Sequence, residues 1–208
     1  MVTILLTVVT VAPAPAQVSE PEPFFSEYVE GAAGKGQSRG DFDDALEIHN
    51  PTAAPFDLSA NECAVEIYHD GSLQATEYFV FSPLMDPPPV VPAYGTALVV
   101  SGNAAQSLLD LATWVAGTSF NWDGNDAVVL ACYWMVNPPA RQPVLDVIGV
   151  VGIDPGAGGW TGGGLSTVDT ILRRDPYTVM GADSFDLSSG WSETTPGDYT
   201  GLGDYVPV

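Results

Sequence analysis

The side chains that could do chemistry are unevenly supplied: 26 carboxylates stand against five cations, two histidines and two cysteines. Enzymatic chemistry needs a nucleophile with its base, or a metal site with an open position. His49 and His69 are the only imidazoles, and the chain contains no His-Glu-x-x-His, Gly-x-Ser-x-Gly or Ser-x-x-Lys pattern. His49 closes the apolar run Ala45–His49 and reads as a structural histidine. His69 precedes Asp70-Gly71, a type I′ turn signal, and reads as exposed. Acidic pairs such as Asp43/Asp44 and Asp123/Asp126 are expected by chance at this carboxylate density. These residues predict a protein without catalytic machinery.

Calcium is the better small-ion expectation, because it takes six to eight oxygen ligands from carboxylates and loop carbonyls. Asp41, Asp43 and Asp44 form one acidic cluster, and Asp123, Asn125 and Asp126 form another; neither has EF-hand spacing, and solvated acidic turns are the alternative. Trp160, in a glycine-rich loop, is read as either a sugar-stacking platform or a packing residue. Arg173 and Arg174 are adjacent, so in a strand one of them points inward and needs a carboxylate partner; a structural ion pair is expected. Cys63 and Cys132 lack zinc-type spacing. They are expected to form one disulfide between facing sheets, with two separately buried thiols as the alternative.

Short apolar runs must position these groups. Residues 24–30, 45–49, 64–68, 76–82, 96–101, 127–133, 144–151 and 168–173 are β-branched, aromatic or alternating, and turn residues separate them. Alternation puts Glu27 and Glu47 on outward positions. Only 103–112 has helical composition, with Asn103 as candidate N-cap. Residues 83–93 hold five prolines and predict a stiff connector; residues 152–164 hold seven glycines without a P-loop Lys. The pattern predicts an all-β antiparallel sandwich or barrel.

Residues 1–16 combine an apolar run too short to span a membrane with Ala14-Pro15-Ala16, and read as a secretory signal peptide cut before Gln17. An N-terminal strand is the alternative, since no basic residue precedes the run. Residues 17–23 read as an acidic linker and 24–205 as one domain. A net charge of −21 predicts no binding of nucleic acid, which needs clustered Lys and Arg; Lys35, Arg39, Arg141, Arg173 and Arg174 are all the chain has. No membrane insertion is expected. Secretion or cell-surface display permits the disulfide.

Several strings resemble the lamin-tail domain as it occurs in bacterial secreted proteins. They are Phe25 to Gly31, Ala45 to Thr52 with Phe56 to Ser59, Phe120 to Leu130, Leu145 to Gly149 with Gly152 to Gly156, and Thr170 to Arg174. Trp191, Pro196 and Gly201-Leu202-Gly203 also fit, so the resemblance runs over 24–205. Asp41 to Asp44 and the insertion Asn137 to Pro143 depart from the family pattern. The resemblance implies an immunoglobulin-like β-sandwich with no catalytic apparatus. Together with the leader read at residues 1–16, this predicts a secreted, monomeric module that binds an unidentified protein or extracellular polymer. The alternatives are an accessory domain serving an extracellular nuclease or hydrolase in trans, and a calcium-dependent adhesion module. Nuclear lamin-tail domains are associated with DNA; the charge of this chain argues against that use.

Overall fold

The computed structural model describes residues 21–31, 43–133, 144–195 and 197–206. The segment read as a signal peptide, Lys35, Arg39, Asp41 and the whole Asn137–Pro143 insertion with Arg141 lie outside the described residues. In chain order the strands are β1 (Phe24–Glu30), β2 (Ala45–His49), β3 (Phe56–Asp57), β4 (Cys63–Tyr68), β5 (Glu77–Val80), β6 (Val90–Val91) and β7 (Thr96–Val100). They continue with β8 (Trp114–Val115), β9 (Ala127–Cys132), β10 (Val144–Ile148), β11 (Thr161–Gly162), β12 (Leu165–Ser166), β13 (Thr170–Arg174) and β14 (Trp191–Thr194). One helical turn, α1 (Gln106–Leu109), follows β7.

Two sheets carry the fold: a six-stranded one in the order β14-β13-β1-β2-β7-β8 and a four-stranded one in the order β10-β9-β4-β5. Their facing residues share one core, with Phe25, Tyr28, Leu46 and Val99 from the first packing against Val65, Ile67, Leu130 and Ile148 from the second. The chain is therefore an all-β sandwich, as expected. It is antiparallel except at one edge, where β8 runs parallel to β7.

A register shift between Phe25 and Glu27 in the β1–β2 pair inserts a bulge. Strict alternation would send Phe25 and Glu27 to one face. The extra residue instead lets Phe25 and Tyr28 both enter the core, while Glu27 turns to the opposite face. That opposite face is not solvated. The α1 region (Ala104, Leu108) and the C-terminal segment (Leu202, with Tyr199) cover it and pack on Val29, Ala45 and Ile171. Every residue of β1 and β2 is consequently buried. Glu27 and Glu47 occupy the predicted outward face and are nevertheless buried, because the chain returns over them.

Three local expectations change. Asn103 does not cap α1; its side chain donates to the Thr118 carbonyl, and Ala105 precedes the helix. The proline-rich connector contains β6, which pairs with β3. The glycine-rich loop contains the hairpin β11–β12, with Gly163 and Gly164 at its turn at φ +61° and +88°. Two positive φ values in succession are the type I′ requirement, which glycine meets without steric cost.

Cys63 and Cys132 form the disulfide, but not between facing sheets: they sit opposite one another on the neighbouring strands β4 and β9 of one sheet, fully buried. The bond closes a 69-residue separation. Replacing both cysteines with Ala is expected to cost about 3 kcal/mol, mostly by freeing the unfolded chain. The urea midpoint measures it, and an unchanged midpoint would show that the sheet holds this pair without the covalent link.

Candidate functional site

The titratable groups gather in three places. At the first, the Asp126 carboxylate accepts from the Asp70 amide (2.9 Å) and the Asp123 amide (3.2 Å), tying the β4–β5 turn to the segment before β9. Asp70 and Gly71 have φ +50° and +73°, so the predicted type I′ turn forms here. His69, partly exposed, places Nε2 2.9 Å from the Asn121 carbonyl and 3.9 Å from Asp126. Burial raises the pKa of Asp126 above the usual carboxylate range.

At the second, Asp44 is buried and accepts from the amides of Gly31 and Trp122 (3.5 and 3.4 Å). Burial, then the Glu30 charge, pushes its carboxyl well up. Glu30 accepts from the Asp169 amide and is raised to about 7, chiefly by burial. Asp43 accepts from the Ala105 amide (2.6 Å) and the Tyr199 hydroxyl (2.8 Å).

Calcium finds no support in this geometry. Among the described residues no group of three or more His, Cys, Asp or Glu side chains is placed to hold a metal ion. The carboxylates of Asp43, Asp44 and Asp126 are spent on backbone amides that fix turns, and Asp41 lies outside the described residues. Asn125 is buried beside Asp126, and Asp123 is exposed. Acidic turns in this chain serve as anchors for free N–H groups.

The third place lies beneath the C-terminal segment. Glu27 and Glu47 are cross-strand neighbours, and Arg173 pairs with Glu27 (Nε–Oε1 3.1 Å). Ser26 donates to Glu47 (2.5 Å), and so does the Gly203 amide of the returning segment. Burial, then the Glu47 charge, lifts Glu27 to about 7 in spite of Arg173. His49 is fully buried in an apolar seat between the rings of Phe24 and Tyr205 (5.4 and 4.8 Å). Burial lowers its pKa to about 4, so the imidazole is neutral.

Both arginines are engaged, where one had been expected. Arg174 donates through Nη2 to both carboxylate oxygens of Asp146 (2.7 Å each), donates through Nε to the Phe25 carbonyl, and lies 4.0 Å over the Trp191 ring. Asp146, fully buried, also accepts from the amides of Phe25 at the β1 bulge and of Ala182. Asp146 belongs to the four-stranded sheet and Arg174 to the six-stranded one, so this ion pair joins the two layers. Trp160 is half-buried, with its indole against Gly149 and edge-on to Phe185 at 6.4 Å, and its N–H directed at the Asp126 carbonyl. These contacts are those of a packing residue.

Two concavities stand out. One, of about 460 Å³, lies on the outer face of the four-stranded sheet among Tyr68, Val129, Val147 and Phe185. The other is an apolar groove of similar volume whose lining comes from five stretches of chain. Pro51 and Tyr94 come from the loops that end β2 and begin β7; Thr178 and Val179 follow β13; Tyr205 and Val206 end the described chain; Pro21 precedes β1.

The groove has a rigid frame. Asn50 is fully buried, and its Nδ2 donates to the carbonyls of Ala54, Val91 and Pro92. Its Oδ1 accepts from the amide and hydroxyl of Thr52. The Tyr94 amide donates to the Thr52 carbonyl (3.1 Å), so one side chain ties Pro51's loop to Tyr94's. Tyr94 itself sits at φ +54° with 61% of its surface exposed. A bulky residue in the left-handed region is unfavourable, and such strain persists only where the surroundings enforce it. Tyr205 is fixed by its hydroxyl, which donates to the carbonyls of Asp175 and Thr178 (2.9 and 3.3 Å).

Asn50 lies in the string Ala45 to Thr52 that carries the family resemblance, whereas Tyr94 and Tyr205 lie in no motif. Tyr94 and Tyr205 are far apart in the chain, and no spacing rule links them. The combination Ala93-Tyr94-Gly95 after a proline-rich stretch, an aromatic inside a turn, was the available signal. Comparison of the chain with known protein families, with curated proteins and with solved structures finds no match, so the groove and its chemistry are the basis on which function is argued.

Proposed function

We propose that this chain is a non-enzymatic extracellular binding module, lamin-tail-like in kind, whose ligand-contacting surface is the Tyr94–Tyr205 groove. The observation that carries the reading is the Asn50 frame, which holds an exposed tyrosine in a strained backbone conformation beside an apolar trough. Pre-formed, mostly apolar concavities with a few fixed polar groups are the usual form of a ligand site. Support for an extracellular setting comes from the buried disulfide and from the apolar leader read at residues 1–16. Among the described residues no helix is long and apolar enough to cross a membrane.

The test is tyrosine-ring NMR on the full chain, titrated separately with cellohexaose, decaproline, hexalysine and a duplex DNA 20-mer. At least one of the first three is expected to shift the Tyr94 and Tyr205 resonances saturably, and DNA to leave them unmoved. Saturable shifts confined to other parts of the surface would overturn the assignment of the groove.

A further inference from the structure

Resting on that reading of the groove, we infer that its ligand is a polypeptide segment bearing lysine or arginine, whose aliphatic stem lies in the trough and whose cationic head meets the tyrosine rings. The lining suits such a side chain at both ends. Pro21, Pro51, Val179 and Val206 offer apolar surface for methylene groups. Long basic side chains bury their stems in this way while keeping the head at a polar rim. The rings of Tyr94 and Tyr205 line the trough, and the π electrons of such rings attract a cation.

Charge decides among ligand classes. Asp175, whose carbonyl accepts from Tyr205, is exposed; Asp204 and Glu22 adjoin Tyr205 and Pro21 in sequence. The cation whose field reaches Tyr205 is Arg174, and its two carboxylate bonds to Asp146 neutralise it. Arg173 is likewise taken by Glu27. Both cations among the described residues are thus internally committed, in a chain of net charge −21. A field of one sign accelerates and orients the approach of an oppositely charged partner and repels like-charged ones. An anionic polymer or anionic lipid surface would have to overcome that field. A neutral sugar would need several fixed hydrogen-bonding side chains, and the lining supplies Thr178 and Tyr94, while the Tyr205 hydroxyl is already used.

The experiment uses the full chain at about 0.15 M salt, where the Debye length is about 8 Å and distant carboxylates are screened. Hexalysine is titrated while the Tyr94, Tyr205 and Val179 resonances are followed, with hexaglutamate, cellohexaose and decaproline as comparison probes. Hexalysine is expected to shift these three residues together, and Tyr94→Ser to weaken its binding about tenfold, the loss of one cation–π contact with its apolar surface. Val179→Ser, at an exposed site that the fold tolerates, is expected to weaken it about threefold. Asp186→Asn, at an exposed carboxylate outside the groove lining, is expected to change it less than about twofold. Hexalysine affinity unchanged in both groove variants, with shifts spread over the carboxylates, would overturn the inference in favour of diffuse ion binding. Groove shifts from cellohexaose or decaproline without hexalysine would overturn the ligand class and leave the binding-module reading standing. A groove silent to every probe would overturn both.

Discussion

Asp146→Ala is expected to destabilise the protein by about 3–5 kcal/mol, the cost of leaving a buried charge without its partner. The Arg174 side chain is only 12% exposed, so water cannot take over from the lost carboxylate. The same substitution strips an acceptor from the Phe25 amide at the β1 bulge and from the Ala182 amide. Urea denaturation gives the number. If the single variant fails to accumulate as folded protein, the Asp146→Ala, Arg174→Met double variant decides the matter. Removing both charges is expected to recover the part of the loss that comes from the unpaired Arg174 charge, while the Phe25 and Ala182 amides stay without their acceptor. A single variant within about 1 kcal/mol of the parent, the range of an exposed ion pair, would show that the link between the sheets is not electrostatic.

The stability of this protein is expected to rise as the pH falls from 7.5 to about 5, opposite to the ordinary acid behaviour of a carboxylate-rich chain. Glu27 and Glu30 have folded-state pKa values near 7 against 4.5 for the unconstrained group, with burial the main cause in both. The folded state therefore binds more protons than the unfolded chain between pH 4.5 and 7, and by linkage their contribution is complete below 4.5 and is lost as pH rises through 7. Buried Asp44, Glu47 and Asp126 are raised in the same direction. His49 acts against them: its folded value of about 4 lies below 6.5, so its contribution is present above 6.5 and lost as pH falls through 4. Two carboxyls against one imidazole leave a net gain down to about pH 5 and a decline below it. A shift from 4.5 to about 7 is worth at most about 3 kcal/mol per group, and after solvent screening about 2–4 kcal/mol is expected for the pair. Thermal melts across pH 4–8 should show the maximum near 5, and Glu27→Gln should flatten the neutral limb. A melting temperature that falls steadily from pH 7 to 5 would contradict the buried-carboxyl account.

The strands were legible because alternation and β-branching are local properties. Ala45-Leu46-Glu47-Ile48 shows which residues share a face, and the structure keeps that partition. Local pattern carries no information about whether a face is later covered. Glu47 is polar and outward by period, yet the segment carrying Leu202 and Gly203 returns over it from 156 residues away. The cysteines show the same limit from the other side: apolar surroundings announced a pair, but neighbouring strands and facing sheets leave identical traces in sequence. Arg174 was legible as half of an ion pair, but its partner Asp146 was not, because a register shift between Val144 and Asp146 sets the direction of that side chain and no periodicity predicts it. The groove draws Pro21, Pro51, Tyr94, Val179 and Tyr205 from loops, where position is set by tertiary hydrogen bonds such as those of Asn50.

The place of β1 has a bearing on biosynthesis. The first strand of the sandwich lies between β2 and β13, with Glu27 directly opposite Arg173. As a ribosome delivers the chain from its N-terminus, β1 can find β2 early, but its other edge must wait until β13 emerges. Pairings this distant make folding slow, because loop-closure entropy is lost before the contacts compensate. The nascent polypeptide thus stays without its finished core for most of its synthesis, the condition under which a chain can still be threaded through a narrow pore.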